Sequence, residues 1–88
     1  MDEASARSRL RRVVAGILEL DVEKVPPDAL FHEDLGATSL ERMEIVNSVA
    51  TEFRVSLDPD DAVAVRSVEG ALDVLEERGL VVRDEAGA

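Results

Sequence analysis

The chain has 88 residues, enough for one domain, and its 45% hydrophobic and 34% charged residues are ordinary for a small folded protein. Twenty acidic residues against ten basic ones give a net charge of −10, which argues against a nucleic-acid partner and favours one with a basic docking face. There is no cysteine, so disulfide bonds, thiolate catalysis and cysteine zinc sites are excluded.

No segment has the features of a membrane span or a secretion signal. The longest run without a charged residue covers the seven residues 45–51, whereas a membrane span needs about 20 apolar residues. The N-terminus carries Asp2 and Glu3 where a signal peptide would have a basic segment and an apolar run. We therefore expect a cytoplasmic protein without a membrane partner, and the strong negative charge favours a monomer.

The first predicted element is an amphipathic helix over about residues 5–20. Five apolar residues recur at helical spacing and form its inward stripe: Leu10, Val13, Val14, Ile17 and Leu18. Residues 21–38 follow as a long loop, since Pro26, Pro27 and Gly36 are incompatible with a regular helix. Apolar residues are scattered through this loop, which predicts that it is held against a core. A loop of this length in so small a domain is more often functional than accidental.

The start of the second helix is marked by a capping box, in which a Thr N-cap is answered by Glu three residues later, here Thr38 and Glu41. The helix is predicted to run to about Phe53. Its inward stripe is expected to contain seven apolar residues: Leu40, Met43, Ile45, Val46, Val49, Ala50 and Phe53.

Two further helices are predicted after the second. Asp58 and Pro59 are typical of an N-cap and first helical position, and they open a short helix. Ser67 caps a last helix, and Gly79 lies where a left-handed C-cap belongs. Its inward residues are expected to be Val68, Ala71, Leu72 and Leu75. No segment alternates at period two, so the predicted fold is all-α, a small bundle of three main helices plus one short helix.

Most catalytic and metal sites are excluded by the residues present. His32 is the single histidine, so multi-histidine metal sites are absent, and we expect it to pack its ring or bind a backbone carbonyl in the loop. The acidic run at 58–61 lacks the ligand and the glycine that a calcium loop needs next, because Ala62 and Val63 stand there. Residues 36–40 do not form the Gly-x-Ser-x-Gly elbow of a serine hydrolase. We expect neither catalytic residues nor a metal.

Ser39 is the remaining candidate, and two interpretations are open for it. The first is that Thr38 and Ser39 only satisfy backbone N–H groups at the helix start, as such residues commonly do. The second is that Ser39 presents its hydroxyl to a modifying enzyme. A phosphate attached there would be favoured by free N–H groups and the positive end of the helix dipole.

The residues around Ser39 resemble those of the acyl carrier protein family. Residues 31–40 read Phe-His-Glu-Asp-Leu-Gly-Ala-Thr-Ser-Leu, similar to that family's attachment segment of an aromatic residue, acids, Leu-Gly and Asp-Ser-Leu. The resemblance continues through the second helix and the last helix. It covers about residues 7–78, the expected core of a single domain 1–88 with short flexible termini.

The resemblance implies that Ser39 carries 4′-phosphopantetheine, whose thiol holds an acyl or aminoacyl group as a thioester. The chain would then be a carrier rather than an enzyme. Implied partners are a phosphopantetheinyl transferase and a loading enzyme, ketosynthase or acyltransferase with a basic docking face. Glu41, Arg42 and Glu44 would meet these partners, although Glu41 also suits a purely structural role at the helix start. An acyl pocket could be lined by Phe31, Leu35, Val46, Val49, Ala62, Val65 and Leu72, for which core packing is the alternative.

Two departures from the family pattern bear on function. Thr38 replaces the usual Asp before the serine, which keeps a capping oxygen but removes a negative charge that transferases are thought to read. The later half of the second helix is uncharged at residues 47–51, where fatty-acid carriers tend to be acidic, and Arg42 adds a positive charge. These differences favour partners in a specialised pathway such as polyketide or mixed polyketide–peptide biosynthesis. An unmodified acidic interaction module and a domain excised from a multidomain synthase are the alternatives.

Overall fold

The computed structural model describes residues 1–82, in which four α-helices and one short 3₁₀ turn, Val22–Lys24, follow one another. The helices are α1 (Glu3–Leu18), α2 (Ser39–Glu52), α3 (Pro59–Ala64) and α4 (Val68–Glu77). This part of the chain contains no strand, only a single parallel bridge between Asp2 and Val82. The predicted bundle of three main helices plus one short helix is confirmed. The expected flexible C-terminal end, residues 83–88, lies outside the described residues.

Each helix begins at a side chain that accepts a hydrogen bond from the first turn. Three of these caps, Thr38, Asp58 and Ser67, were predicted and are confirmed. The fourth, Asp2, starts α1 two residues before the predicted position. Gly79 has a φ of +75° just after α4, the left-handed conformation expected there. The chain therefore fixes its helix boundaries with short-range signals.

The core lies where α1 packs against both α2 and α4. Its largest fully buried side chains include Leu10, Ile45, Leu72 and Leu75 from the helices. Phe31 from the loop between α1 and α2 is also buried, with 1% of its surface exposed. This confirms that the long loop is held against the core.

Arg11 of α1 also holds the loop between α1 and α2 in place. Its guanidinium donates hydrogen bonds to the carbonyl oxygens of Val22 and Val25, each at 2.8 Å. Because buried or half-buried backbone carbonyls need a partner, these bonds let a non-helical segment lie close to the core. The loop that precedes α2 therefore has a fixed path.

The predicted inward stripe of α2 is wrong at Leu40 and Met43, whose surfaces are 66% and 62% exposed. The fully buried residues of α2 are Ile45 and Val49, one turn apart, on the side that faces α1. Met43 lies about 160° around the helix from Ile45, given 3.6 residues per turn. The apolar residues of α2 thus occupy two faces, one in the core and one at the surface.

No helix within residues 1–82 combines the length and the apolar character needed to cross a membrane.

Candidate functional site

Ser39 is the first residue of α2, and its side chain is exposed. The cap of this helix is made by its neighbour: the Thr38 hydroxyl accepts a hydrogen bond from the Glu41 N–H at 3.1 Å, and the Glu41 carboxylate accepts one from the Thr38 N–H at 2.9 Å. The Ser39 hydroxyl makes no hydrogen bond with any residue of 1–82. Capping is therefore performed by Thr38, and the Ser39 hydroxyl is available for chemistry.

The backbone at the start of α2 also has free donors. The first N–H groups of a helix have no acceptor within it, and the capping box satisfies those of Thr38 and Glu41. Among residues 1–82, the N–H groups of Ser39 and Leu40 have no hydrogen-bond partner. These groups lie at the positive end of the α2 dipole. A phosphate linked to the Ser39 oxygen would find hydrogen-bond donors and a favourable field here.

The turn before Ser39 is closed by hydrogen bonds that include His32. Its Nδ1–H donates to the Ala37 carbonyl oxygen at 2.9 Å, which confirms the prediction that His32 binds a backbone carbonyl. The Ala37 N–H donates to the Phe31 carbonyl at 2.8 Å, and Gly36 has a φ of +72°, which lets the chain reverse. Within the described residues, no three acidic or histidine side chains converge as a metal site.

A groove of about 660 Å³ opens beside Ser39, between α2 and α3. Its lining includes a group of apolar side chains and a group of polar ones. The apolar group includes Met43, Val46, Leu57, Ala62 and Val63, and the polar group includes His32, Arg42, Asn47 and Arg66. Ser39, Met43 and Val46 are spaced i, i+4 and i+7, so they share one face of α2. An apolar chain attached at Ser39 would therefore meet an apolar surface.

The groove contains few of the residues predicted to line an acyl pocket. Val46 and Ala62 lie in its wall. Phe31, Val49, Val65 and Leu72 are instead buried in the core, and Leu35 is half-buried against it. The apolar groove residues that were not predicted to line a pocket include Met43, Leu57 and Val63. For Met43 the spacing from Ser39 was the signal that could have identified it.

The three residues predicted to bind partners differ in their exposure and in their contacts. Glu44 is exposed, whereas Glu41 is half-buried and belongs to the capping box. Arg42 is half-buried and crosses to the C-terminal end of α3, where it donates hydrogen bonds to carbonyl oxygens of that segment. A role for Arg42 in tying two helices together was not foreseen from the sequence.

Comparison with known proteins gives consistent similarities. Residues 8–75 match the family model described as a phosphopantetheine attachment site. The chain is 34% identical over 74 residues to the acyl carrier protein of Nitratidesulfovibrio vulgaris, a match that covers 84% of this chain and 97% of that protein. It is 32% identical over 78 residues to the acyl carrier protein of Thermosynechococcus vestitus, covering 89% of this chain and 96% of that protein. The matched residues begin within α1, end within α4, and include the whole groove.

Proposed function

The chain belongs to the acyl carrier protein family, whose members carry acyl groups on 4′-phosphopantetheine, and we propose that this chain carries that group on Ser39. The observation that supports the assignment is the exposed Ser39 hydroxyl at the start of α2, which has no hydrogen-bond partner among residues 1–82. When bound, the group supplies a thiol that holds an acyl or aminoacyl chain as a thioester. Proteins of this family are carriers rather than catalysts.

Residues near Ser39 would contribute three separate effects. Thr38 and Glu41 fix the first turn of α2, so that the Ser39 hydroxyl is presented from a rigid position. The N–H groups of Ser39 and Leu40, which have no partner in the described part of the chain, favour a phosphate on that hydroxyl. The apolar wall that contains Met43 would lower the contact of an apolar cargo with water.

We also propose that the partners are those of a specialised pathway, such as polyketide or mixed polyketide–peptide biosynthesis. The support comes from the charge of α2. Glu41, Glu44 and Arg42, the one cation of α2, are in its first half, residues 45–51 are uncharged, and Glu52 is paired with Arg9 at 3.1 Å. A transferase, loading enzyme, ketosynthase or acyltransferase would meet a negative surface concentrated near Ser39. Because charge patterns set encounter rate and partner choice, this distribution should select partners whose basic residues lie close to their active site.

The first experiment measures the intact mass of the protein after incubation with coenzyme A, magnesium and a promiscuous phosphopantetheinyl transferase. We expect the mass of one phosphopantetheinyl group to be gained and to map to Ser39. The control is Ser39→Ala, which should gain nothing while its thermal midpoint stays unchanged, because Thr38 makes the cap. A gain of mass by Ser39→Ala, or its mapping elsewhere, would refute the assignment.

The second candidate function is an unmodified interaction module, favoured by Thr38 in the position where the family pattern has Asp. The same mass measurement on Thr38→Asp separates the two candidates. Asp is an equally good N-cap, so the variant should keep the fold. If the parent gains no mass while Thr38→Asp does, the parent is a carrier fold that has lost its modification.

A further inference from the structure

α3 is a six-residue helix in which no side chain is fully buried. Its own residues therefore contribute little buried surface, and its position depends on Val65, the fully buried residue that follows it, and on polar contacts at both ends. At its N-terminal end, Arg78 pairs with Asp61 and with Asp58, the latter at 3.6 Å. Arg78 also donates a hydrogen bond to the Ser56 carbonyl at 2.8 Å. This end is thereby tied to the residue that follows α4.

The C-terminal end of α3 is tied to α2 by Arg42. One guanidinium nitrogen of Arg42 donates to the carbonyl oxygens of Ala62 and Val63, each at 3.1 Å. The Nε–H donates to the carbonyl of Val65 at 3.4 Å. A single side chain thus engages three carbonyls at the end of a helix in which no residue is fully buried.

These carbonyls are suitable partners for a cation. The last carbonyls of a helix have no intrahelical donor, and they carry the negative end of the helix dipole. A guanidinium offers five N–H donors in a fixed planar fork, so it can satisfy several such oxygens together. A lysine at the same position could reach fewer of them.

Arg42 also lies one helical turn from Ser39 and lines the same groove. α3 forms the opposite wall of that groove through Ala62 and Val63. The distance between the two walls is consequently set where Arg42 joins them. From these contacts we propose that Arg42 is a positioning residue, which holds α3 against α2 and fixes the width of the groove that receives the cargo carried on Ser39.

The cargo part of this proposal depends on the proposed function, but the position of α3 does not. Arg42 acts through α3 rather than by contact with the reacting atoms. With Arg42 in place, α3 would cover the apolar wall and limit the access of water to a cargo in the groove. Without it, α3 would move away from α2 more often, and the cargo would be less protected.

The first test uses the unmodified protein and measures amide hydrogen exchange by NMR at Ala62 and Val65, whose N–H groups bond within α3. In Arg42→Met, exchange at these two amides should be about tenfold faster, because several charge-assisted bonds are lost. Arg42→Lys should give an intermediate rate. The matched control is Arg12→Gln, an exposed arginine outside the groove whose guanidinium donates to the Ser8 hydroxyl within α1, and it should leave α3 unchanged.

Two results of this test would overturn the proposal. One is unchanged exchange at Ala62 and Val65 in Arg42→Met. The other is an equal acceleration in the core amides of α1 and α4, which would show a general loss of stability rather than a displacement of α3. Arg42→Lys further distinguishes a local displacement of α3 from a general loss of stability, since a local effect on α3 should be partly recovered in this variant.

The second test measures the hydrolysis of an octanoyl thioester loaded onto the modified protein. Its lifetime should fall by about threefold in Arg42→Met and stay the same in Arg12→Gln, because protection depends on how long the groove remains closed. Faster exchange in α3 with an unchanged thioester lifetime would overturn the cargo part. If the parent protein cannot be loaded, the proposed function and the cargo part fail together, and amide exchange still decides the position of α3.

Discussion

Thr38 and Ser39 are adjacent hydroxyl residues, and the structure gives them separate tasks. The Thr38 oxygen is committed to the Glu41 N–H, while the Ser39 oxygen has no partner among residues 1–82. Threonine and aspartate can both accept this bond, so the replacement of the family's usual Asp preserves the helix start. The change therefore alters charge at the candidate site without altering the backbone that presents Ser39.

Gly70 and Gly16 are both helical glycines, but they should respond oppositely to alanine. A Cβ on Gly70 would lie 2.3 Å from the Ala64 carbonyl oxygen, so α3 and α4 would have to separate. We expect Gly70→Ala to lower the free energy of unfolding by about 1–3 kcal/mol, as overpacking does. A Cβ on the exposed Gly16 meets no atom within 4 Å, and Gly16→Ala should raise stability by about 0.5–1 kcal/mol.

Urea denaturation of the two variants and the parent measures both effects. The comparison reports on the close approach of α3 to α4, because both substitutions replace Gly by Ala within a helix and only the one at Gly70 meets a neighbouring helix. Stabilisation by both substitutions would show that α3 can leave α4 at no cost. That outcome would contradict the close packing of Gly70 beneath α3.

At the scale of elements, the helix boundaries were predictable because they depend on residues close in sequence. Thr38, Asp58 and Ser67 each act on an N–H three residues away, so a short pattern is enough to identify them. The inward face of α2 was not predictable in the same way. Leu40 and Met43 are apolar like Ile45, and only the placement of α1 and α3 decides which face enters the core.

The candidate site shows the same division between local and tertiary information. Ser39 could be identified from the sequence because its motif is continuous from residue 31 to residue 40. The groove could not, since its wall combines residues of α2 with Leu57, Ala62 and Val63. The contacts of Arg42 were missed for the same reason, because its acceptors are 20–23 residues away in the chain.

The Asp2 cap at the start of α1 predicts how the stability of the protein depends on pH. The Ser5 backbone N–H donates to the Asp2 carboxylate at 2.8 Å, and this bond, with a smaller contribution from the Ser5 side chain, holds the pKa of Asp2 below its usual value. Folding therefore favours the charged form. Its contribution to stability is present above the usual pKa of Asp and is lost as the pH falls through the lowered value.

Asp2→Ala should consequently reduce the thermal midpoint by a few degrees relative to the parent at neutral pH. This difference between the two midpoints should shrink at strongly acidic pH. Asp2→Asn is the matched control, because it keeps a capping oxygen without the charge. Thermal melts of the three proteins from about pH 7 to about pH 2 measure their midpoints across the titration of Asp. A difference between the parent and Asp2→Ala that stays constant over this range would show that the Asp2 charge contributes nothing.

At the scale of the whole molecule, charge is distributed unevenly. Residues 1–12 carry a net +2, and the remaining 76 residues carry −12. Within residues 1–82, arginines of the first helix pair with acids of other helices, as Arg7 does with Glu69 at 3.0 Å. Such half-exposed pairs contribute little individually, and they leave most of the acidic surface uncompensated. Self-repulsion among these acids should therefore exceed the attraction within the pairs.

Sodium chloride should for this reason raise the thermal midpoint between very low ionic strength and about 0.1 M, where the screening length is about 10 Å. A variant with two fewer exposed acids, Glu44→Gln/Glu77→Gln, should show a smaller rise from a higher starting value. A midpoint that falls with salt would mean that the ion pairs dominate instead. The same screening should slow the encounter with a partner that has a basic docking face, so salt would affect stability and recognition in opposite directions.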